Sequence, residues 1–192
     1  TGKSARTLVL HEDEEELIHD FFLLTRKPVV YVCNVDEASA SKGNAFTEAV
    51  RESVKDENAE ILVIAAATEA DIAELESYEE KQLFLEDLGL DEPGVNKLIH
   101  AAYKLLNLQT YFTTGADESR AWTFVKGIKA PKAAGIIHSD FEKGFIRAEV
   151  IKYSDYVTLG SESACRELGK IAIEGKEYVV QDGDIMHFRF NV

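Results

Sequence analysis

The segment 12–24, EDEEELIHDFFLL, carries apolar Leu17, Ile18, Phe21, Phe22 and Leu24. That is helical spacing, and it follows an acidic first turn that suits the positive end of a helix dipole. The pattern predicts a helix that Lys27-Pro28 brings to an end. Pro28 opens VVYVCN, a short run of β-branched and aromatic residues without alternation, as expected of a strand covered on both faces of a parallel sheet. A helix from about Asn44 to Asn58 and a second apolar run, AEILVIAAA, follow. Strand, helix and strand with short connections predict half of a doubly wound α/β sheet. Residues 69–88 form an acidic helical stretch, and Gly89 to Gly94 a break. The next helix carries Val95, Leu98, Ile99, Ala102, Leu105 and Leu106 on one face and Asn96, His100, Lys104 and Asn107 on the other, which makes His100 a solvated surface residue.

From about Leu108 the texture changes. AWTFV, FIRAEVI, KIAI, EYVV and DIMHFRF are short strand-like runs separated by glycine or polar turns such as EGK and QDGD. The last run alternates, with Met186, Phe188, Phe190 and Val192 facing one way and His187, Arg189 and Asn191 the other. Pro131 suits the first turn of a short helix through Ala133 and Ala134 toward Ile137. The expected architecture is a small mixed sheet crossed by one helix, an α+β module of about 85 residues.

Length and composition permit this division. The 192 residues, 45% of them hydrophobic, suffice for one ordinary domain or two small ones with packed cores. The apolar runs are too short for a membrane span, the N-terminal residues do not resemble a secretory signal, and two cysteines far apart form no disulfide framework, so a cytoplasmic protein is expected. The formal charge is −14, from 21 basic and 35 acidic residues, and as an average it opposes contact with nucleic acid phosphates. Partition changes that picture: residues 1–107 carry −13 of it and residues 108–192 only −1. Within the latter, Ser119 to Ser139 contains no acidic residue, yet holds Arg120, Lys126, Lys129 and Lys132 beside Trp122, Phe124 and His138. Cations interleaved with aromatics suit RNA, although Trp122 and Phe124 also have the alternation of core residues.

Few segments carry a chemical signature. Thr1-Gly2-Lys3-Ser4 matches the tail of a phosphate loop, but has neither the glycine-rich turn nor the strand that such a loop requires before it. His11 and His19 have no zinc spacing, Cys33 and Cys165 have no neighbouring base, and no G-x-S-x-G turn occurs. Asn34-Val35-Asp36-Glu37 directly follows a strand, at the sheet edge where open α/β folds bind ligands. The next strand is expected to end in Ala65, Ala66 and Ala67, small residues that allow a planar ring to approach the backbone.

These segments, KPVVYVCNVDE and VIAAATEADIAELE, resemble the base-recognition half of the Obg-like ATPases, the YchF family of translation-factor-class P-loop proteins. The resemblance continues through FLEDLGLDEPGVNKLIHAAYKLLNLQTYFTTG, APKAAGIIHSDFEKGFIRAEVI and VVQDGDIMHFRFNV, and so covers essentially the whole chain. It implies a partial P-loop-type parallel sheet followed by a β-grasp TGS domain, with residues 1–10 as the tail of a helical insertion, 11–107 as the C-terminal half of the nucleotide-binding domain and 108–192 as TGS. Relatives in the wider GTPase class use N-K-x-D, whose Asp pairs with guanine. Here Val35 replaces the Lys and Glu37 the Asp, so guanine's donors would stay unpaired at a cost of about 1–3 kcal/mol. The resemblance implies ATP or ADP instead, with the Asn34 side chain and Val35 backbone contacting adenine, Ala65 and Ala66 lining the ring, and Glu37 contacting the base or organising the loop. It further implies ribosome or RNA contact by Arg120, Lys126, Lys129 and Lys132, and a monomer. Magnesium belongs to the family's chemistry, but its ligands and the phosphate loop are expected outside this sequence, so the chain by itself should not hydrolyse ATP. The alternative is a non-catalytic module that binds RNA or protein.

Overall fold

The computed structural model describes residues 2–57, 59–115 and 118–191. Thr1, Asn58 and Val192, each included in an expectation above, lie outside the described residues. The chain divides into two compact units, Thr1–Leu106 and Asn107–Val192.

In the first unit, helix α1 spans only Glu12–His19. The expected continuation to Leu24 fails because Phe22 adopts a left-handed φ of 48° and a 3-10 turn, Leu24–Arg26, takes over. Arg6 holds this segment instead, donating to the Thr25 and Lys27 carbonyls at 3.3 and 3.0 Å. Strand β1 (Val30–Asn34) and strand β2 (Glu60–Ile64) pair in parallel, with Val30 opposite Glu60 and Asn34 opposite Ile64. Between them, helix α2 (Ala45–Val54) starts at Asn44, whose Oδ1 accepts from the N–H groups of Phe46 and Thr47. This reciprocal cap ends the glycine-containing turn before it.

The strands were expected to be covered on both faces, yet none of their residues is fully buried, and Val32 is 47% exposed. Among the described residues each strand has only the other as a ladder partner, so their apolar side chains find too few neighbours for full burial. Residues 65–67 also depart from expectation. Helix α3 (Ala66–Glu74) begins directly after β2, so Ala66 and Ala67 are helical rather than extended. Residues 69–88 contain a break, since Ser77 caps a separate helix α4 (Tyr78–Asp87). Helix α5 (Gly94–Leu105) buries Gly94 and Ala101, whereas Val95, Leu98, Ile99 and Leu106, expected on its inner face, are exposed. His100 is exposed, as its side of the helix predicts. The N-terminus of α5 is capped from a distance: Glu69 of α3 accepts from Gly94 N–H at 2.6 Å and from Val95 N–H at 3.4 Å. A Cβ on Gly94 would lie 2.8 Å from the Glu69 carboxylate and 3.0 Å from Ile64.

The second unit is a five-stranded mixed sheet, formed by β3 (Leu108–Thr114), β4 (Ser119–Val125), β5 (Phe145–Lys152), β6 (Ala172–Glu174) and β7 (Asp184–Phe190), in the order β4-β3-β7-β5-β6. β3 and β7 run parallel at the centre, and the other pairs are antiparallel. Helices α6 (Ala130–Ile137) and α7 (Ser139–Lys143) accompany one face, where Tyr111, Phe124, Ala133, Val150, Met186 and Phe188 form the main core. Tyr111 donates its hydroxyl to the Ala133 carbonyl at 2.9 Å, and burial pushes its phenol pKa up. Helices α8 (Tyr153–Leu159) and α9 (Glu162–Glu167), absent from the sequence-based expectation of one crossing helix, cover part of the other face with Tyr156, Leu159 and Cys165 over Ile151 and Ile185. EYVV is not a strand; it forms a single bridge between Val179 and Lys129. Met186 and Phe188 are buried as the alternation of the last run predicts.

Two buried carboxylates organise this unit. Asp184, wholly buried, accepts from Lys152 at 2.6 Å, Tyr178 at 2.6 Å and Gln181 N–H at 2.9 Å. Burial disfavours the Lys152 ammonium, but the hydrogen bonds to Asp184 and Tyr178 outweigh it and hold the pKa above the ordinary lysine value. On the other face, Glu149 of β5 accepts both donors of Arg189, at 3.1 and 3.3 Å, and one of Arg166 at 3.4 Å. The Arg189 hydrogen bonds, opposed by burial, hold its carboxyl below the usual range. A depressed native pKa means stability that is present above the unfolded value of about 4.3 and lost as pH falls through the native one. Glu149→Gln should therefore lower stability by about 2 kcal/mol near neutrality, with the deficit shrinking below about pH 4. Urea unfolding across pH checks this, and a deficit that persists unchanged in acid excludes it.

Candidate functional site

The parallel register brings the ends of β1 and β2 side by side, and two hydrogen bonds fasten them. Val35 N–H donates to the Ile64 carbonyl at 3.0 Å, and Ala66 N–H donates to Asn34 Oδ1 at 3.0 Å. Only the amide oxygen of Asn34 can accept, so the bond fixes the orientation of that side chain and turns its Nδ2 donors to other use. With its N–H engaged, Val35 has its carbonyl left to accept. The loop end thus offers a donor on an exposed Asn34 and an acceptor on the next residue. A purine edge with a ring-nitrogen acceptor beside an amino donor matches that pair, as adenine's N7 and N6 do; guanine presents two acceptors there, N7 and O6.

The neighbouring residues divide unevenly. Ala65 is buried as the N-cap of α3, and Ala66 is exposed with its N–H committed to Asn34. Glu37 is exposed at the start of a 3-10 turn, Glu37–Ser39, and its carboxylate has no hydrogen-bond or ionic partner among the described residues. Organising the loop falls to Asp36, whose side chain accepts from Ser39 N–H at 2.9 Å. An Asp followed three residues later by Ser is a recognisable turn signal. A cavity of about 370 Å³ adjoins the site, lined by residues 31–35 of the β1 strand and loop together with Asn44, Phe46, Thr47 and Val50. Sequence reasoning passed over Phe46, which is 82% exposed there.

The acid-free segment of the second unit is not acid-free in space. Lys129 pairs with Glu177 at 2.5 Å and Lys132 with Glu142 at 2.7 Å, both acids arriving from elsewhere in the chain. Arg120 lies 4.3 Å over the Trp122 ring, and Lys126 is exposed with no acidic partner among the described residues. Trp122 packs against the core and donates Nε1–H to Thr113, while Phe124 is buried, so both aromatics serve the fold. His138 caps α7 by accepting from Asp140 N–H. Among the described residues no group of three or more His, Cys, Asp or Glu side chains could hold a metal ion, and no helix is long and apolar enough to cross a membrane.

The family model YchF-GTPase_C, described as a protein of unknown function (DUF933), matches residues 108–191. A Bacillus subtilis protein named ribosome-binding ATPase YchF is 54% identical across 99% of this chain and 52% of its own length. The chain belongs to the YchF family. A rat YchF relative, Obg-like ATPase 1, is 44% identical over 94% of the chain and 46% of its own length. A solved structure titled as the Schizosaccharomyces pombe YchF GTPase superposes with a TM-score of 0.85 at 35% identity, over 97% of this chain and 50% of that one. The chain therefore spans about half the length of the relatives it matches. The names of these relatives divide between ATPase and GTPase, which makes the donor and acceptor at Asn34 and Val35 the chemistry of interest.

The Asn34–Ala66 bond should contribute about 1 kcal/mol. Asn34→Ala is expected to lower stability by that amount and to speed hydrogen exchange at the Ala66 amide, measured by NMR, whereas Glu37→Ala should change neither.

Proposed function

We propose that the first unit is the second half of a P-loop-type nucleotide-binding domain that recognises adenine, and that the second is a β-grasp TGS module that engages the ribosome. The half-length match to relatives supports the first part. So do the apolar residues that a two-stranded sheet leaves uncovered, and both clusters of buried apolar side chains found among the described residues lie in the second unit. The observation that carries adenine recognition is the bond from Ala66 N–H to Asn34 Oδ1, which commits the Asn34 amide group to donating. In this reading Asn34 Nδ2 donates to N7, the Val35 carbonyl accepts from the N6 amino group, Ala65 and Ala66 line the ring, and Glu37 closes the loop side. Strand order β4-β3-β7-β5-β6, with a central parallel pair and a crossing helix, supports a β-grasp fold. The whole protein is read as a cytoplasmic, monomeric ATPase acting with magnesium, whose phosphate and metal ligands lie outside this chain.

Asn34→Asp tests the base contact, because its carboxylate still accepts from Ala66 N–H while the donor is lost. In the full-length protein, ATP affinity should fall about tenfold to a hundredfold with stability nearly kept, and wild type should prefer ATP over GTP. Equal binding of both nucleotides by wild type, or unchanged ATP binding by the variant, refutes the assignment.

Ribosome contact is read through Arg120, Lys126, Lys129 and Lys132. The ion pairs of Lys129 with Glu177 and of Lys132 with Glu142 lie at the surface and cost little to exchange for phosphate. Co-sedimentation with ribosomes should weaken with salt and be abolished by the triple change of Lys126, Lys129 and Lys132 to Glu. Those same ion pairs favour the second reading, a protein-binding module, which full retention of ribosome binding by the triple variant would support.

A further inference from the structure

The face of the second sheet that α8 and α9 leave open carries charge that the protein does not neutralise. β5 and β7 pair so that Arg147 stands directly opposite Arg189, and Glu149 opposite His187. Like charges facing each other across a strand pair are destabilising. Glu149 compensates for only part of this, because its carboxylate is taken up by Arg189 and Arg166, and Arg166 also engages Glu162 at 2.8 Å. Arg147 is exposed, and its guanidinium has no hydrogen-bond or ionic partner among the described residues. Three guanidinium groups and an exposed imidazole thus gather on one side of the sheet, against two carboxylates, one of them nearly buried behind the arginines.

The side chains around this cluster favour an extended polyanion. Next to it the open face continues across Thr114 and Ser119, whose hydroxyls bond each other at 3.0 Å, to the exposed Ala121. These are small side chains that present a shallow surface. Ile146, displaced outward where the β5 register shifts, and Ile173, paired opposite Glu149, are exposed at the rim and offer apolar contact to sugars or bases. Guanidinium forks bind phosphate oxygens in pairs, a geometry that an ammonium cannot reproduce. Arg189 and Arg166 are held in place by Glu149, so much of the entropy cost of fixing them is met within the fold.

We propose that Arg147, Arg166, Arg189 and His187 form a phosphate-binding surface for RNA, on the sheet face opposite α6. The proposal rests on the reading that this module meets the ribosome, and names a different face for the contact.

Arg147 is the residue to change, since no other side chain depends on it. Arg147→Glu and Arg147→Ser should both fold, checked by thermal unfolding, and fluorescence anisotropy with a labelled single-stranded poly(U) probe should report binding by the 192-residue chain. Wild type should bind, with Arg147→Glu weakening affinity about tenfold and lowering the slope of log affinity against log salt by about one, and Arg147→Ser weakening it less. Equal binding by wild type and Arg147→Glu, or no binding by wild type, overturns the proposal, as does equally tight, Arg147-dependent binding of poly-glutamate. Ribosome co-sedimentation run in parallel separates the two readings. Loss of poly(U) dependence on Arg147 with ribosome binding intact sinks only this surface, whereas Arg147-dependent poly(U) binding without ribosome binding sinks only the ribosome reading.

Discussion

The first unit depends on one parallel ladder, from Val30 opposite Glu60 to Asn34 opposite Ile64. Because both strands end at the same level, the side chain of Asn34 reaches the first N–H of α3, and the loop after β1 and the helix start become one structure. A shift of a single residue in that register would send Asn34 to the other face and break the tie. The same ladder explains the unit's surface. A parallel pair of apolar strands is designed for a sheet covered on both sides. With two strands, Val32 on β1 and Phe46 on the adjoining helix stay exposed.

The second unit solves the opposite problem. Its five strands have helices on both faces, with a main core dominated by alanine, valine and aromatic side chains and a smaller one built on Ile151, Cys165 and Ile185. Burial there includes charge, and each buried carboxylate has several donors. Asp184 ties the loop before β7 to β5 through Lys152, while Glu149 joins β5, β7 and α9. Carboxylates placed this way are stable only while their partners remain, so they fix the geometry of the arginines and the lysine around them.

Much of this organisation could be read from the order of residues. Strand β1, helix α2, the alternation in β7 and the change of texture near Leu108 follow from local pattern. Some discrepancies are local, such as the left-handed Phe22 that ends α1 and the Ser77 cap that starts α4, but others share one cause: periodicity reports one face of one element and says nothing of what lies across from it. The stripe Val95–Leu98–Ile99 is helical, yet the side of α5 that meets the strands is the one bearing Gly94 and Ala101. Residues 119–139 lack acids in sequence, but Glu142 and Glu177 come back to them in three dimensions. The arginine pair is invisible without the β5–β7 register, since Arg147 and Arg189 are far apart in the chain. In the loop after β1, Asn34 and Val35 stand out from their position after a strand, while the roles of Asp36 and of the Ala66 N–H required the hydrogen bonds themselves.

The cap that Glu69 places on α5 bears on the order in which the unit assembles. Pro93 precedes that helix and has no side-chain acceptor, so nothing local satisfies the first N–H groups of Gly94 and Val95. The acceptor comes from a different helix, across the turn, α4 and the loop that follow it. A peptide containing only α5 would lack its start signal and fray, and the helix becomes well defined only after α3 has docked at the end of β2. The closeness of Gly94 to Ile64 and Glu69 adds a steric condition, because any side chain there would hold the two helices apart. The definition of α5 is therefore coupled to the docking of α3 at the end of β2, and the two helices gain or lose order together.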